Sequence, residues 1–310
     1  MRAVKSMLGP AAMALAARSR RGGVIINEHT LTAEQTRRHI EALGRWFDFI
    51  ALGDLAARLA APRRRPFCLV TFDDGKHSNF SESAPELERA GVPAVFYVVT
   101  EFLTHGRPLW FDRWRALIGT LGAAPAGLEP EMVKRLPYAT LLQRLDEACI
   151  RSGIQADLGS DHIRPMTWDE ARSLCRRGFA IGAHGVEHAI LTLEPEDAAR
   201  WSIRQSLTRV AAETGRCETF AFPNGNYTPE LARYAQACGA STVMTVEPTW
   251  VDEQRPFWRL PRIQIYGPDR PGRIEWKVAM AATGRVLPSP DGTGRMYARR
   301  DIVATGRSHQ

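Results

Sequence analysis

Short apolar runs alternate with amphipathic stretches along most of this chain, and several of the stretches end at glycine. The runs have the length and the β-branched or aromatic content of strands that are buried on both faces. We predict seven strands, at residues 24–27, 67–72, 93–100, 179–183, 219–222, 241–246 and 260–265. Because a helical crossover connects strands that run in the same direction, the pattern predicts an α/β fold with a parallel sheet.

Helical patterns with end signals separate several of these strands, at residues 83–90, 167–178, 196–214 and 229–238. Thr167 and Glu170 have the spacing of a capping box at the start of the second pattern. No predicted strand is followed by Gly-x-Gly-x-x-Gly, the phosphate-binding sequence of open dinucleotide-binding sheets. We therefore expect an irregular (β/α) barrel with about seven parallel strands rather than an open sheet.

Three regions are expected along the chain: an amphipathic lead-in over 1–22, the barrel over 23–266, and a C-terminal extension over 267–310. The apolar part of the lead-in falls short of the roughly 20 residues that cross a bilayer, and Gly9-Pro10 interrupts it, which favours a helix on a membrane surface over a secretory signal. Alternation lapses over 117–162, which predicts an insertion with a helix at 132–149; whether it closes over a substrate stays open. Apolar periodicity fades after Ile265, and 288–310 is predicted to be partly disordered.

Composition limits the classes of partner. The formal charge of +7 comes mostly from scattered arginine clusters, at residues 18–21, 63–65 and 295–300. A nucleic-acid interface would combine such residues with aromatics on one recognisable module, so no nucleic-acid partner is predicted. Five widely spaced cysteines without Cys-x-x-Cys argue against a disulfide framework and a thiolate zinc site. They suit a reducing compartment, and we expect a cytoplasmic protein, with peripheral membrane association left open.

Two pairs of residues could carry chemistry. Asp73 and Asp74 directly follow the predicted strand at 67–72. Buried side by side, two carboxylates repel, so the pair needs a cation or a proton between them. His184 and His188 follow another predicted strand, and their spacing would bring both imidazoles to one metal ion if the chain turns helical there. The alternatives are an ordinary Asp-Asp-Gly turn and two exposed loop histidines.

The positions of these pairs favour the metal site. In parallel α/β folds, side chains at the carboxyl ends of strands meet at one edge of the sheet. Two histidines and one carboxylate leave coordination positions open for water and substrate, which is typical of a catalytic metal. Asp74, His184 and His188 are the predicted ligands, and Asp73 is then placed to deprotonate the attacking water.

The chain resembles the NodB-homology polysaccharide deacetylases (carbohydrate esterase family 4) in three motifs that occur in that family's order. They are Thr-Phe-Asp-Asp-Gly at 71–75, His-x-x-x-His at 184–188 and Phe-Ala-Phe-Pro-Asn-Gly-Asn-Tyr at 220–227. Leu-Trp-Phe-Asp at 109–112 and Leu-Pro-Arg-Ile at 260–263 also resemble segments of the bacterial exopolysaccharide branch. The resemblance covers residues 24–265 and implies an irregular barrel.

The resemblance also implies roles for the matching residues. Asp73 would be the catalytic base beside the ligands named above. The backbone N–H of Asn224 would help to hold the tetrahedral oxyanion. The other residues of the third motif would line the substrate groove: Pro223, Gly225 and Tyr227. Asn79 either lines that groove or caps the following helix, and Trp110 and Trp250 either stack on a sugar face or belong to the core.

Two departures from the family pattern concern catalysis. The family's third motif often carries an arginine where this chain has Phe220-Ala221-Phe222, and the late motif that supplies a histidine as general acid contains none at 260–263. We hypothesise that Arg262 orients Asp73 in place of the missing arginine, through a charge-assisted hydrogen bond. His29, at the end of the first predicted strand, is a candidate for the acid; the alternative is a histidine in a polar loop.

The expected function is a metal-dependent deacetylase that hydrolyses the N-acetyl group of an amino sugar, its oligomer or its polymer. Zinc is the first choice of metal, and cobalt, nickel or manganese suit the same ligands. One alternative is a deformylase or amidase that acts on a lipid-linked amino sugar or on a non-sugar amide. From a different class, the protein could bind carbohydrate and keep the metal without turnover, although the intact Asp73 argues against this. A metal that only stabilises the barrel is a further possibility.

Overall fold

The computed structural model describes residues 2–19, 21–61, 65–154, 160 and 162–283. Eight parallel strands form one sheet, in the order β7-β6-β5-β4-β3-β1-β8, with the two-residue β2 paired to β3 beside β4. The strands are β1 (Gly23–Glu28), β2 (Asp48–Phe49), β3 (Phe67–Phe72), β4 (Ala94–Val98), β5 (Ala180–Ala183), β6 (Thr219–Ala221), β7 (Thr242–Met244) and β8 (Ile263–Gln264). The predicted parallel α/β fold is confirmed, and β2 is the strand that the sequence pattern did not indicate.

The segment from Leu260 to Gln264 joins the two ends of the sheet. The Leu260 N–H donates to Val243 O at 2.9 Å, next to β7. Three and four residues later, Ile263 and Gln264 pair with Ile26 and Asn27 of β1. The single strand predicted at 260–265 is therefore shared between two neighbours, and the sheet curls into the expected irregular barrel.

The long strands β1 and β3 lie side by side in the sheet, and every residue of both is buried. Their register pairs Asn27 with Thr71 and Glu28 with Phe72. Apolar side chains fill both faces for most of each strand because helices cover the outside and the barrel core fills the inside. Polar residues begin only at the carboxyl edge, so the chemistry-bearing side chains collect there.

Helices cover the sheet and account for most of the remaining described chain. They are α1 (Arg2–Ser19), α2 (Ala33–Gly44), α3 (Leu55–Ala60), α4 (Ala84–Arg89), α5 (Thr100–His105), α6 (Trp110–Leu121), α7 (Pro130–Val133), α8 (Tyr138–Ser152), α9 (Trp168–Arg176), α10 (Glu196–Thr214), α11 (Pro229–Ala237) and α12 (Pro271–Ala282). The capping box predicted for α9 is present: the Glu170 N–H donates to Thr167 Oγ1 at 3.1 Å, and the Thr167 N–H donates to Glu170 Oε2 at 2.8 Å.

The predicted insertion is a helical cluster with its own small core. Helices α6, α7 and α8 bury apolar side chains against one another, among them Trp110, Leu117, Leu141 and Leu145. The cluster begins at Trp110, seven residues before the predicted start, because the first turn of α6 already packs into this core. Pro137 lies between α7 and α8, so the helix predicted at 132–149 is divided there.

The two ends of the described chain pack together. Helix α1 lies against α12 so closely that a Cβ added to Gly9 would sit 2.0 Å from the carbonyl oxygen of Gly272. Helix α12, in the region that was predicted as a C-terminal extension, buries Ile274 and Val278 completely. The tail predicted at 288–310 lies outside the described residues. Among the described helices, none is long and apolar enough to cross a membrane.

Candidate metal centre

The sheet delivers Asp73 and Asp74 at the end of β3. The Asp73 N–H donates to Glu28 O at 2.9 Å, which continues the pairing with β1 by one residue. The backbone then turns through two left-handed residues, Asp74 (φ 77°) and Gly75 (φ 77°). Gly75 is needed for space as well, since an added Cβ would lie 2.9 Å from a methyl group of Leu103.

The histidine pair follows β5 in the same manner. The His184 N–H donates to Val98 O at 2.9 Å, so this residue extends the pairing with β4. Residues 184–188 form an irregular turn rather than a helix, and His188 closes it in the left-handed conformation with φ 60°. The turn brings the two imidazoles together edge to face, with ring centroids 5.0 Å apart.

Asp74, His184 and His188 meet at one point. One ligand atom from each lies within 4.8 Å of the other two, and all three residues are buried. Oδ1 of Asp74 is 3.4 Å from Nε2 of His188 and 3.9 Å from Nε2 of His184. The three predicted ligands therefore share one location at the carboxyl edge of the sheet.

This donor set fits a divalent metal ion. Among the described residues Oδ1 of Asp74 has no hydrogen-bond partner, although Nε2 of His188 lies 3.4 Å away. A buried carboxylate oxygen without a donor is costly unless a cation satisfies it. Nδ1 of His184 donates to Ala221 O at 2.8 Å, which leaves the lone pair on Nε2 directed to the site. Two imidazoles and a carboxylate are ligands that zinc and similar metals accept.

Arg262 holds the other aspartate. Nη1 and Nη2 of Arg262 donate to Oδ1 and Oδ2 of Asp73 at 2.7 and 2.9 Å, and Nε donates to Thr245 O at 3.1 Å. Arg262 is fully buried and Asp73 nearly so. The hydrogen bond hypothesised from the sequence is thus present, in bidentate form.

Burial and charge shift the pKa values of these groups in different directions. Burial alone would raise the pKa of Asp73, but the charge and hydrogen bonds of Arg262 and the nearby His184 and His29 together outweigh it, and the pKa lies below its usual value. Burial also raises the pKa of Asp74, and the nearby His188 and His29 bring it well below its usual range. Burial lowers the pKa of His184 to about 4, so the imidazole is neutral at neutral pH, as a metal ligand must be.

His29 lies at the end of β1 beside the two aspartates. Its Nδ1 accepts from Nε2 of Gln264 at 3.2 Å, and its carbonyl oxygen accepts from Nδ2 of Asn79 at 2.6 Å. Burial lowers the pKa of His29, while the charges of Asp74 and Asp73 partly offset that effect. Asn79, for which a place in the groove or a helix cap was predicted, is fully buried. Its side chain instead supports the turn that carries His29.

The third motif forms a tight turn after β6. Asn224 is left-handed with φ 57°, and Gly225 follows with φ 78°, where an added Cβ would lie 2.0 Å from a methyl group of Val246. Pro223 packs on the histidine turn, since its Cγ lies 3.3 Å from the position of a Cβ on Gly185. Pro223 and Gly225 are buried and shape the turn, whereas Asn224 and Tyr227 keep some exposed surface. The Tyr227 hydroxyl donates to Glu247.

Both tryptophans lie in the apolar core, which is one of the two alternatives predicted for each of them. Trp110 is 4% exposed, and its indole Nε1 donates to the carbonyl oxygen of His188 at 3.2 Å, so it does not offer a face to a sugar. Trp250 is buried as well and donates to Val278 O. Phe111, which the sequence reasoning did not single out, stacks edge to face on the His188 ring at 5.0 Å. Its place beside Trp110 in the segment at 109–112 was the only sign in the sequence.

Backbone strain collects at this edge of the sheet. Within the described ranges, three residues other than glycine have a positive φ: Asp74, His188 and Asn224. Each conformation costs on the order of 1–3 kcal/mol and persists only where the surroundings impose it. All three residues belong to the predicted ligands or to the predicted oxyanion turn. The strain therefore marks the same place as the donor atoms.

Comparisons with known proteins agree with this geometry. The family model described as "Polysaccharide deacetylase" matches residues 60–243. No curated protein sequence matches the chain. Among solved structures, the Streptococcus pyogenes deacetylase PplD is similar, with 13% identity, a TM-score of 0.58, and coverage of 83% of this chain and 97% of that one.

Two further structures are similar at the level of the fold. IcaB from Ammonifex degensii has 16% identity and a TM-score of 0.56, over 84% of this chain and 100% of that one. The BpsB deacetylase domain from Bordetella bronchiseptica has 17% identity and a TM-score of 0.53, over 79% and 96%. The family match spans more than half of the sequence. The chain therefore belongs to the polysaccharide deacetylase family, hydrolases that act on the carbon–nitrogen bond of N-acetyl groups.

Proposed function

We propose that this protein is a metal-dependent deacetylase that removes the acetyl group from an N-acetylated amino sugar within an oligomer or polymer. The observation that carries the proposal is the meeting of the Asp74, His184 and His188 donor atoms within 4.8 Å, beside an aspartate that is fixed by an arginine. A divalent ion held by these ligands, with zinc as first choice, would polarise the amide carbonyl and lower the pKa of a water.

Asp73 is the base that takes the proton of that water. Its Oδ2 lies 3.8 Å from Nε2 of His184, at the border of the ligand cluster. Arg262 lowers its pKa, so the carboxylate is ionised at neutral pH and free to accept a proton. The bidentate contact also fixes the plane of the carboxylate, which keeps the base in one orientation through the reaction.

His29 is the proton donor to the departing amine. A neutral imidazole is too weak an acid for this step, so the donor form of His29 is the imidazolium cation, which the charges of Asp74 and Asp73 favour. After the amine has left, the proton that Asp73 took from water is returned to His29, so both groups regain their starting protonation states. This assignment fills the position that the late motif of the family leaves without a histidine here.

Asn224 supports the tetrahedral oxyanion through its backbone N–H. A residue with φ 57° presents its amide in a direction that ordinary extended or helical backbone would not. The neighbouring Pro223 holds the turn against the histidine loop. A backbone donor in a rigid turn needs no reorganisation as charge develops on the substrate oxygen.

Acetate release from N-acetylglucosamine oligomers tests the proposal. Protein treated with a chelator and reloaded with zinc or cobalt should release acetate, and Asp73→Asn should bind metal but not turn over. Asp169→Asn is the control, because that aspartate is on the surface, with its side chain 90% exposed. Oligomer and metal binding without acetate release would contradict the enzyme assignment.

A second candidate function is removal of an acyl group from a lipid-linked amino sugar at a bilayer. One observation favours it: Met7 and Leu8 on α1 are 80% and 49% exposed. Helix α1 ends just before β1, at the amino end of the barrel. In its middle, Gly9 lies against Gly272 at the start of α12, which follows β8. Met7 and Leu8 therefore lie toward the carboxyl edge, where the metal centre is.

The exposed residues of α1 suit a lipid surface better than a second protein chain. Met7, Leu8 and Leu15 form an apolar face with Arg18 near its end, the arrangement of an interfacial helix attracted to anionic lipid. Three such side chains offer far less than the about 800 Å² per partner of a stable protein interface.

Flotation with vesicles tests this second candidate. The protein should float with vesicles that contain phosphatidylglycerol, and the double variant Met7→Ser/Leu8→Ser should not. Ile150→Ser is the matched control, because Ile150 is also 80% exposed but lies on α8 in the insertion. Equal flotation of both variants, or flotation of neither wild type nor control, would exclude the lipid-bound substrate.

A further inference from the structure

The first turn of α6 contacts His188 at two points. Nε1 of Trp110 donates to the carbonyl oxygen of His188 at 3.2 Å, and this bond is buried. The ring of Phe111 meets the imidazole edge to face, with centroids 5.0 Å apart and an angle of 72° between the planes. The backbone and the ring of His188 are therefore held from the same side by two consecutive residues.

A third residue of the same turn ties α6 to the aspartate loop. Asp112 accepts two hydrogen bonds from Nζ of Lys76, at 2.8 and 2.7 Å, and both side chains are about 95% buried. Lys76 follows Asp74 by two residues and also lies over the Phe111 ring, 5.2 Å from its centroid. Loss of one partner of a buried ion pair strongly destabilises the folded protein. This pair therefore holds α6 against the loop that carries Asp74.

The two histidines differ in how their rings are oriented. Nδ1 of His184 donates to a backbone oxygen, which is the usual way a metal-binding imidazole is held. Nδ1 of His188 is buried and has no hydrogen-bond partner within the described part of the chain. The orientation of the His188 ring therefore depends on packing, chiefly on Phe111 and on the edge-to-face contact with His184.

The backbone of His188 also needs support. With φ 60°, His188 has a backbone conformation that residues other than glycine rarely adopt. The Trp110 hydrogen bond is made to the carbonyl group of this same residue. A strained residue that is held by a neighbouring element keeps its conformation only while that element stays in place.

We propose that α6, through Trp110 and Phe111, positions His188 for metal binding, and that the insertion therefore completes the metal centre instead of serving as a lid. Trp110 sets the backbone, Phe111 sets the ring, and the Asp112–Lys76 pair anchors the helix. Trp110 and Phe111 are both positioning residues, because their contacts are with the carbonyl oxygen and the ring of His188. The inference rests on the proposed function in that His188 is taken to bind the metal.

Cobalt affinity measured by titration of chelator-treated protein tests the inference, with the visible absorption of bound Co²⁺ as readout. Trp110→Phe and Phe111→Leu should each weaken Co²⁺ binding by about 10-fold or more, the usual effect of losing a residue that orients a ligand. Trp114→Phe is the matched control: it lies on the same helix, and its Nε1 donates to Leu128 O at 2.7 Å inside the insertion. It should bind Co²⁺ as wild type does.

Thermal unfolding of the metal-free proteins separates positioning from general damage. Trp110→Phe and Trp114→Phe each lose one indole hydrogen bond to a backbone oxygen, so their unfolding temperatures should fall by similar amounts. Equal Co²⁺ affinity of Trp110→Phe, Phe111→Leu and Trp114→Phe would overturn the inference. Failure of wild type to bind Co²⁺ at all would instead overturn the metal-dependent function.

Discussion

Arg262 donates hydrogen bonds to both carboxylate oxygens of Asp73, at 2.7 and 2.9 Å, and the two residues lie 189 positions apart in the sequence. The guanidinium also stands 5.4 Å from the centre of the Tyr97 ring, a cation–π contact that helps to accommodate its charge inside the barrel. The Arg262–Asp73 ion pair bridges the barrel where the segment at 260–264 also joins the two ends of the sheet by backbone pairing. One contact therefore serves the fold and the base.

Replacing Arg262 by alanine should lower both the stability of the fold and the rate of turnover. The substitution leaves Asp73 buried without its partner, and loss of one member of a buried pair costs about 3–5 kcal/mol. Turnover should fall as well, because the base is no longer held in its plane. Urea unfolding and acetate release measure the two effects. Arg255→Ala is the control, because Arg255 pairs with Glu247 in a partly exposed position and should cost no more than about 1 kcal/mol. Unchanged turnover in Arg262→Ala would refute the role of this arginine.

The pH dependence of stability follows from the lowered pKa of Asp73. A carboxyl group whose pKa is lower in the folded state stabilises the fold above its unfolded value of about 3.9, and the stabilisation is lost as the pH falls through the folded value. In metal-free protein, the difference in unfolding free energy between wild type and Asp73→Asn should be constant between pH 6 and 5. It should shrink below about pH 4. A difference that grows on acidification would contradict the ion pair.

His29→Gln should lower kcat without weakening metal binding. Removal of a positioned proton donor typically costs about 10²- to 10⁴-fold in rate. Glutamine keeps a polar side chain of similar size beside Gln264, so the turn held by Asn79 should survive. Acetate release and Co²⁺ titration measure the two properties. A variant that keeps the wild-type rate would remove His29 from the mechanism.

Gly225 and Gly91 form a matched pair for testing the oxyanion turn. Both have a positive φ, 78° and 64°, so alanine at either position carries a conformational cost of about 1 kcal/mol. At Gly91 the added methyl group meets nothing within 4 Å, whereas at Gly225 it collides with Val246. Gly225→Ala should therefore be the less stable of the two and should lose turnover as the Asn224 N–H moves. Equal melting temperatures and rates would show that the turn has no such constraint.

The elements that could be predicted from the sequence are those whose signals are local. The strand β3 is apolar on both faces and ends at two aspartates, so its burial and the position of Asp73 follow from a run of a few residues. The capping box at Thr167 is equally local. The ligand set could be assembled because each motif directly follows a strand, and parallel strands bring their carboxyl ends together.

What could not be predicted depends on contacts between distant segments. From the sequence, Trp110 could stack on a sugar or belong to the core. Its hydrogen bond to His188, 78 positions away, becomes apparent only in the folded structure. Asn79 could have capped a helix, but the turn after β1 lies nearer. Helix α12 was not predicted because charged residues interrupt the apolar pattern of its sequence. Its apolar side is buried by packing against α1, a contact between distant parts of the chain.

Acetate release from an N-acetylglucosamine oligomer, followed as metal is titrated into chelator-treated protein, tests the metal centre most directly. If Asp74, His184 and His188 hold one catalytic ion, the rate should rise from near zero and saturate at about one equivalent of metal per chain. The variant His184→Ala should stay inactive over the same titration. Full activity of the chelator-treated wild type, or saturation in His184→Ala at one equivalent, would contradict the metal centre as the site of reaction.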